Sequence, residues 1–133
     1  MEEIKEACGI KVGEYIRASG YYSFISKIKR IEFDNEAQLF WFVYDKKDFD
    51  TNITREWRIN KPYIKNHSKN IIDLIEIGDY VNGWKVLGIV TTFDKPNEIG
   101  FKFLGFDNLL YDIDIKSIVT KEQFGNAEYR LED

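Results

Sequence analysis

The chain has almost none of the side chains that build disulfide frameworks or metal clusters. Its 133 residues include one cysteine, Cys8, and one histidine, His67. A single cysteine excludes an internal disulfide and a cysteine-based metal cluster. A Cys–His catalytic pair needs both groups within hydrogen-bond reach and a third group to orient the base. Cys8 and His67 lie far apart in unremarkable contexts, so we expect no nucleophilic site built on them.

Long apolar runs and proline are scarce as well. No stretch approaches the roughly 18 apolar residues of a membrane-spanning helix, and charged residues stand where a signal peptide would have its apolar core. Two prolines are too few for a linker-rich or disordered protein. We therefore expect a folded cytoplasmic protein with no membrane partner.

The abundant residues indicate a compact chain with an ordinary core. Hydrophobic residues make up 44% of the sequence and aromatic residues 16%. The length corresponds to one ordinary domain, or to two very small ones packed together. The net charge of −4 argues against indiscriminate binding to nucleic acid, which needs a cationic surface.

The charge is divided unevenly along the chain. Residues 1–69 hold 13 Lys and Arg against 11 Asp and Glu, a net charge of +2. Residues 70–133 hold 6 against 12, a net charge of −6. A basic surface on the first half keeps nucleic-acid binding open as an alternative function.

Two stretches share one pattern, and the rest of the chain is organised around them. Residues 77–87 and 12–22 both run apolar–Gly–acid–Tyr–apolar, followed by a polar turn with Gly and then aromatic residues. The pattern predicts an all-β protein of two pseudo-repeated SH3-like small barrels packed together, residues 12–69 and 70–133. Residues 1–11 are predicted to be an N-terminal tail or a short helix.

Alternating apolar and polar residues, separated by Gly, Asp and Asn, locate the strands. In the first unit, strands are predicted at residues 14–18, 21–33, 39–44 and 54–59. In the second unit they are predicted at 79–82, 84–93, 99–104 and 109–115, with an edge strand at 129–131. Short helical turns are predicted near 68–75 and 120–126, the latter from a capping box that begins at Thr120.

Two of these strands carry specific expectations. The long strand 21–33 alternates partly, as a bent strand would, with Ile25 and Ile31 on one face and Ile28 on the other. The strand 39–44 is apolar on both faces, so we expect a central strand that is covered on both sides.

Two strings of residues carry a family resemblance. NIIDLIEIGDYVNGWKV at 70–86 and IVTKEQF at 118–124 are the distinctive parts, and the similarity covers mainly residues 64–131. The chain resembles a family of uncharacterised small proteins common in phages, prophages and mobile elements of low-GC Gram-positive bacteria. The resemblance implies a phage or mobile-element accessory protein and brings no catalytic residues.

The candidate site lies in the first unit, where cations are interleaved with aromatic residues. Such mixtures stack on bases or hold phosphate-bearing ligands. Further cations of this group are Lys27, Lys29 and Arg30. At least one tryptophan should then be exposed beside an arginine. We expect a binding surface formed by Arg17, Tyr21, Tyr22, Trp41, Arg55, Trp57 and Arg58.

The sequence therefore favours a non-enzymatic binding protein that engages a host protein or a small ligand. The alternative is a nucleic-acid-binding module that uses the basic first half. A metal-dependent hydrolase comes third, because Asp112 and Asp114 share one face of a predicted strand near Asp107. The polar outer face of an edge strand gives the same spacing, so we expect no metal and no cofactor. The sequence leaves the oligomeric state open.

Overall fold

The computed structural model describes residues 3–20, 23–47, 51–91 and 98–122. These residues form an all-β structure of three antiparallel sheets with short helical turns, which confirms the predicted fold class. No sheet of the described residues closes into a barrel, so the SH3-like form is not confirmed. The chain divides into two compact units, Met1–Leu74 and Ile75–Asp133.

The first unit opens with a hairpin of two short strands, β1 (Glu6–Ala7) and β2 (Ile10–Lys11). Cys8 and Gly9 connect them with φ values of 54° and 80°, the left-handed conformations that a two-residue hairpin turn requires. The structure therefore has strands where a tail or a short helix was predicted for residues 1–11. The physical reason is burial: pairing places Ala7 and Ile10 on one face, and both enter the core.

A five-stranded sheet forms the body of the first unit. Its strands are β3 (Tyr15–Ala18), β4 (Ile25–Asp34), β5 (Leu39–Lys47), β6 (Thr54–Ile59) and β7 (Ile64–Ser68). Their order in the sheet is β6-β5-β4-β3-β7. The sequence does not predict β7, because Asn66 and its polar neighbours disfavour strands. At the edge of the sheet these polar side chains reach water while the backbone pairs with β3.

A β-bulge in β4 decides which of its residues enter the core. Ile28 pairs with Tyr44, but the next pairing joins Arg30 to Val43, so Lys29 is the extra residue. The bulge moves Ile31 onto the face of Ile28, and both side chains are buried. The predicted assignment of Ile28 and Ile31 to opposite faces is therefore wrong.

The core of the first unit lies on one face of this sheet, against the β1–β2 hairpin. Its buried members are Ala7, Ile10, Ile16, Ala18, Ile28, Ile31, Phe42, Tyr44, Ile59 and Ile64. β5 lies between β4 and β6, and its consecutive residues Phe42, Val43 and Tyr44 are all buried. The prediction of a central strand covered on both sides is confirmed for these three residues.

A four-stranded sheet forms the second unit. Its strands are β8 (Tyr80–Val81), β9 (Trp84–Thr91), β10 (Ile99–Phe103) and β11 (Ile118–Val119), in the order β10-β9-β8-β11. The β8–β9 turn is Asn82-Gly83, whose φ values of 52° and 85° are those of a type I′ turn. The predicted strand 109–115 is wrong. Leu110 makes one isolated bridge to Phe101, and Asp112 has a left-handed φ of 52° that ends any regular strand.

The two sheets have corresponding strand orders and registers. The order β5-β4-β3-β7 of the first unit matches β10-β9-β8-β11 of the second. Ile28 and Val86 are equivalent: both are buried, and both are followed by a bulged residue, Lys29 and Leu87 respectively. What repeats is therefore a pattern of strand pairing with one bulge, and not a closed barrel.

Short helical turns complete the fold. A 3₁₀ turn spans Lys61–Tyr63, and a second one, Ile71–Leu74, lies where a turn was predicted near 68–75. Residues 121–122 are helical, as predicted. The rest of the predicted helix and the predicted strand 129–131 lie outside the described residues. In the described part of the chain, no helix has the length and apolar character needed to cross a membrane.

Candidate binding surface on the first unit

β6 forms one edge of the five-stranded sheet and exposes side chains on both of its faces. Arg55 pairs with Lys46 of β5 and shares its face. Trp57 pairs with Tyr44 two residues further along, on the same face. Phe24 completes this group, because its ring lies 4.9 Å from the ring of Tyr44 between centroids. These five residues are named the Trp57 patch.

In the Trp57 patch, Tyr44 is buried and Trp57 is exposed. Tyr44 is 5% exposed, and burial raises the pKa of its phenol, which therefore stays protonated. Trp57 is 51% exposed. The Lys46 Nζ atom lies 5.3 Å from the centroid of the Phe24 ring, within the range of a cation–π contact. The patch thus presents to solvent the Trp57 indole and the Lys46 ammonium, which lies over the Phe24 ring.

Among the described residues, no carboxylate neutralises the cations of the Trp57 patch. Lys46 and Arg55 lie directly opposite each other across β5 and β6, an arrangement in which like charges destabilise a sheet. Neither forms an ion pair with a carboxylate within residues 3–20, 23–47, 51–91 and 98–122. A bound anionic group would relieve this repulsion, so the patch favours a negatively charged ligand.

The opposite face of the same strands carries a network of ion pairs centred on Glu56. Arg30 donates two hydrogen bonds to the Glu56 carboxylate, each 2.8 Å long. Lys29 also contacts Glu56, and its Nζ atom lies 3.3 Å from Asp45 Oδ1. Arg30, followed by Lys29, lowers the pKa of Glu56 to about 2. In return, Glu56 raises the pKa values of Arg30 and Lys29, so this network stays fully charged at ordinary pH.

Arg58 extends this network to the other end of the face. It lies 3.6 Å from Glu32, which also accepts a 3.4 Å hydrogen bond from Arg30. Val43 pairs with Arg30 on one side and with Arg58 on the other, and has no exposed surface. Arginine stems cover apolar surface in this way while their charged ends stay in water. The cations of this face are therefore paired with the protein's own carboxylates, and the two arginines flank the buried Val43.

Trp41 lies on the network face and not on the Trp57 patch. The Ala37 backbone N–H donates to Asp34 at 3.1 Å, and the Trp41 indole donates to the same carboxylate. The Ala37 bond chiefly, with the indole as a smaller cause, lowers the pKa of Asp34. Trp41 and Arg58 line a shallow cleft of about 500 Å³ near the end of β6. The rings of Phe24 and Tyr44, from the Trp57 patch, line the same cleft.

Arg17 belongs to no surface, which corrects its place in the predicted site. The side chain is fully buried, and Nη1 donates a 3.0 Å hydrogen bond to the carbonyl of Leu74. That carbonyl ends the 3₁₀ turn Ile71–Leu74, so Arg17 fastens the turn to β3. Tyr21 and Tyr22 lie outside the described residues. Of the seven predicted residues, the structure thus unites Arg55 with Trp57 and, on the opposite face, Trp41 with Arg58.

The acidic candidates do not assemble a metal centre. Asp107, Asp112 and Asp114 are exposed, and the strand that would have aligned them is absent. The described residues contain no group of three His, Cys, Asp or Glu side chains placed to hold a metal ion. Without this strand, Asp112 and Asp114 do not share the strand face that a hydrolase centre there would have used.

The cysteine and the histidine have separate surroundings. Cys8 is exposed in the β1–β2 turn. The Nδ1 atom of His67 lies 3.3 Å from Glu14 Oε2, where β7 pairs with β3. His67 therefore has a carboxylate partner of its own.

The seven predicted site residues do not include three members of the Trp57 patch, namely Phe24, Tyr44 and Lys46. The predicted strand stops at residue 44, whereas β5 continues to Lys47. Extending the alternation by one step would have placed Lys46 on the same face as Tyr44. In the structure Lys46 is the cross-strand neighbour of Arg55 on that face. Phe24 belongs to the predicted strand 21–33 but precedes β4 in the structure, so its contact with Tyr44 across the sheet does not follow from alternation along one strand.

Comparisons with known proteins add no function to this description. The chain matches no protein-family model, no curated protein and no solved structure. Its function must therefore be inferred from the chemistry of its surfaces.

Proposed function

We propose that this chain is a cytoplasmic, non-enzymatic binding protein of the phage or mobile-element accessory type, which engages a partner protein through the Trp57 patch. One observation carries the proposal: a half-exposed Trp57 stands beside two opposed cations, Lys46 and Arg55, that the described residues do not neutralise. Tryptophan and arginine are the commonest anchors of protein interfaces. A partner surface with an apolar recess and nearby carboxylates would satisfy both.

The shape of the surface favours a protein over a small ligand. Small-molecule sites are concave pockets that enclose most of the ligand. The Trp57 patch lies at the exposed margin of the sheet face that carries the core, and the neighbouring cleft is shallow. A protein partner has enough surface to cover the Trp57 side chain, whereas a small molecule would leave part of it exposed to solvent.

The charge distribution favours a protein over nucleic acid. Binding to a phosphate backbone needs several cations that exchange their counterions for phosphates. Lys29, Arg30 and Arg58 are instead paired with carboxylates on the network face. These three cations are thus engaged by carboxylates of the protein itself.

Affinity capture with the full chain as bait tests the proposal. Lysate of a low-GC Gram-positive bacterium is passed over the wild-type chain, Trp57→Ala and Arg55→Glu. The matched control is Lys27→Glu, an exposed cation of β4 outside the patch. We expect Trp57→Ala to weaken the affinity for the captured partner by about 2 kcal/mol or more. The control should keep the wild-type affinity.

Two results would go against the proposal. A partner captured equally by both patch variants would place the contact elsewhere. A mobility shift of a single-stranded oligonucleotide that weakens with salt and is lost in Arg55→Glu would assign the patch to nucleic acid instead.

A further inference from the structure

The backbone of β6 offers a second kind of contact at the Trp57 patch. In the described part of the chain, β6 pairs with β5 alone, and residues 54–58 are exposed. In an antiparallel pair, every second residue directs its N–H and C=O groups away from the partner strand. A row of such groups along an edge is a template for a further strand.

The side chains of β6 select among incoming strands. On the patch face, an added strand would meet Arg55 and, two residues later, Trp57. On the network face it would meet Glu56, whose charge Arg30 already balances. Of the two faces of β6, as far as the described residues show, the patch face therefore carries the positive charge without a carboxylate partner, next to an exposed indole.

We infer that β6 accepts an extended segment of the partner protein as an additional strand. The segment carries a carboxylate against Arg55 and an apolar or aromatic side chain against Trp57, two positions apart. Backbone hydrogen bonds supply the affinity, and the alternating side chains supply register and selectivity. The inference rests on the proposed function and adds the conformation and chemistry of the partner segment.

A second copy of the chain is a poorer occupant of this edge. Two β6 strands paired about a two-fold axis would form one continuous sheet with both Trp57 patches on the same face. That arrangement would add the Lys46 and Arg55 charges of one copy to those of the other. An acidic segment removes the repulsion that a second copy would increase.

Peptide titration against the full chain tests strand addition. The probe is a short synthetic peptide with Phe and Glu alternating along one face and Thr along the other. Two backbone-methylated versions block alternate sets of amides, and a third version has Lys in place of Glu. We expect the Lys peptide and one of the two methylated peptides to bind about tenfold more weakly than the probe.

Two further measurements make the test specific. In Arg55→Glu the preference should reverse, so that the Lys peptide binds more tightly than the Glu peptide. Amide hydrogen exchange should slow within Thr54–Ile59 when the Glu peptide binds, because edge N–H groups become bonded. Lys27→Glu should change neither result.

Each contrary outcome has a separate meaning. If both methylated peptides bind as well as the probe, strand addition is overturned while the Trp57 patch remains a contact surface. If the probe fails to bind up to about 1 mM, the inference is overturned and the capture experiment alone decides the proposed function. A peptide-free dimer with protected β6 amides would assign the edge to a second copy and overturn the inference.

Discussion

The two Gly-acid-Tyr turns, Gly13–Tyr15 and Gly78–Tyr80, are built by the same hydrogen bonds. In each turn the acidic residue's N–H donates to the carbonyl three residues earlier, at 3.1 Å to Lys11 and 3.0 Å to Glu76. Its carboxylate accepts the N–H of that same earlier residue, at 2.6 Å and 2.7 Å. The shared sequence pattern thus encodes one local structure twice.

The second carboxylate oxygen distinguishes the turns. Glu14 Oε2 meets His67 Nδ1 at 3.3 Å, and the Glu14 side chain keeps 16% of its surface exposed. Asp79 is fully buried, and its Oδ1 accepts the backbone N–H of Lys121 at 2.9 Å. A buried carboxylate depends on its protein donors, whereas an exposed one can bond to water. We infer that the same motif contributes more stability in the second unit than in the first.

Removal of each carboxylate should give the largest contrast. Asp79→Ala leaves the partly buried N–H groups of Glu76 and Lys121 without their acceptor, and we expect a loss of about 3 kcal/mol in unfolding free energy. Glu14→Ala leaves an exposed N–H that water can satisfy, with an expected loss of about 1 kcal/mol. Urea denaturation measures both. Equal losses would show that burial of the carboxylate does not increase its contribution to stability.

Substitution of each glycine should give a smaller contrast. Gly78 and Gly13 have φ values of +100° and +94°, which strain any other residue. A Cβ at Gly78 would lie 3.4 Å from Lys121 Cβ, whereas one at Gly13 meets nothing within 4 Å. We expect losses of about 2 kcal/mol for Gly78→Val and about 1 kcal/mol for Gly13→Val. Thermal unfolding is the readout, and unchanged melting temperatures would disprove the strained conformations.

Exchange of the two acids tests the fit of each site. Asp79→Glu forces an extra methylene into a fully buried position and should cost about 1 kcal/mol. Glu14→Asp shortens a partly exposed side chain, and we expect a loss of about 0.5 kcal/mol. Urea midpoints of the two variants, measured side by side, provide the comparison. A more harmful Glu14→Asp would reverse the proposed ranking.

Loss of the His67 contact should have the smallest effect. The pair with Glu14 is partly exposed, with 29% of the His67 side chain accessible, so His67→Gln should change the unfolding free energy by about 0.5 kcal/mol. Urea denaturation measures this change beside that of Asp79→Ala. A loss for His67→Gln as large as that for Asp79→Ala would contradict the ranking.

The parts of the fold that follow from local patterns could be predicted from the sequence. The alternation at 54–59 gives the bounds of β6, and Asn82-Gly83 specifies its own turn. The bulge at Lys29 could not be predicted, because a register shift depends on the partner strand. Residues 109–115 alternate like a strand, yet their neighbour provides only one bridge. Pairing partners, which the local sequence does not contain, decide these cases.

The candidate site likewise contains members that a local sequence pattern predicts and members that it does not. Arg55 and Trp57 share a face because they are two residues apart on one strand, which alternation alone predicts. Arg17 also lies on a strand, β3, but its side chain is fully buried and donates a hydrogen bond to the carbonyl of the distant Leu74. Lys46 joins the patch only through the register that pairs it with Arg55. Exposure and cross-strand register are tertiary properties, so the sequence could indicate the strand but not the complete surface.

The bond between Asp79 and the Lys121 N–H also limits how this region can vary in evolution. Its donor is a backbone amide, so any residue except proline at position 121 preserves it. The acceptor is a short side chain in a buried site, so position 79 has almost no freedom. Lys121 Nζ lies 2.9 Å from Glu76 Oε1, a partly exposed pair whose signs can be exchanged together. Homologous sequences should therefore keep Asp at 79, avoid only proline at 121, and show correlated charges at 76 and 121.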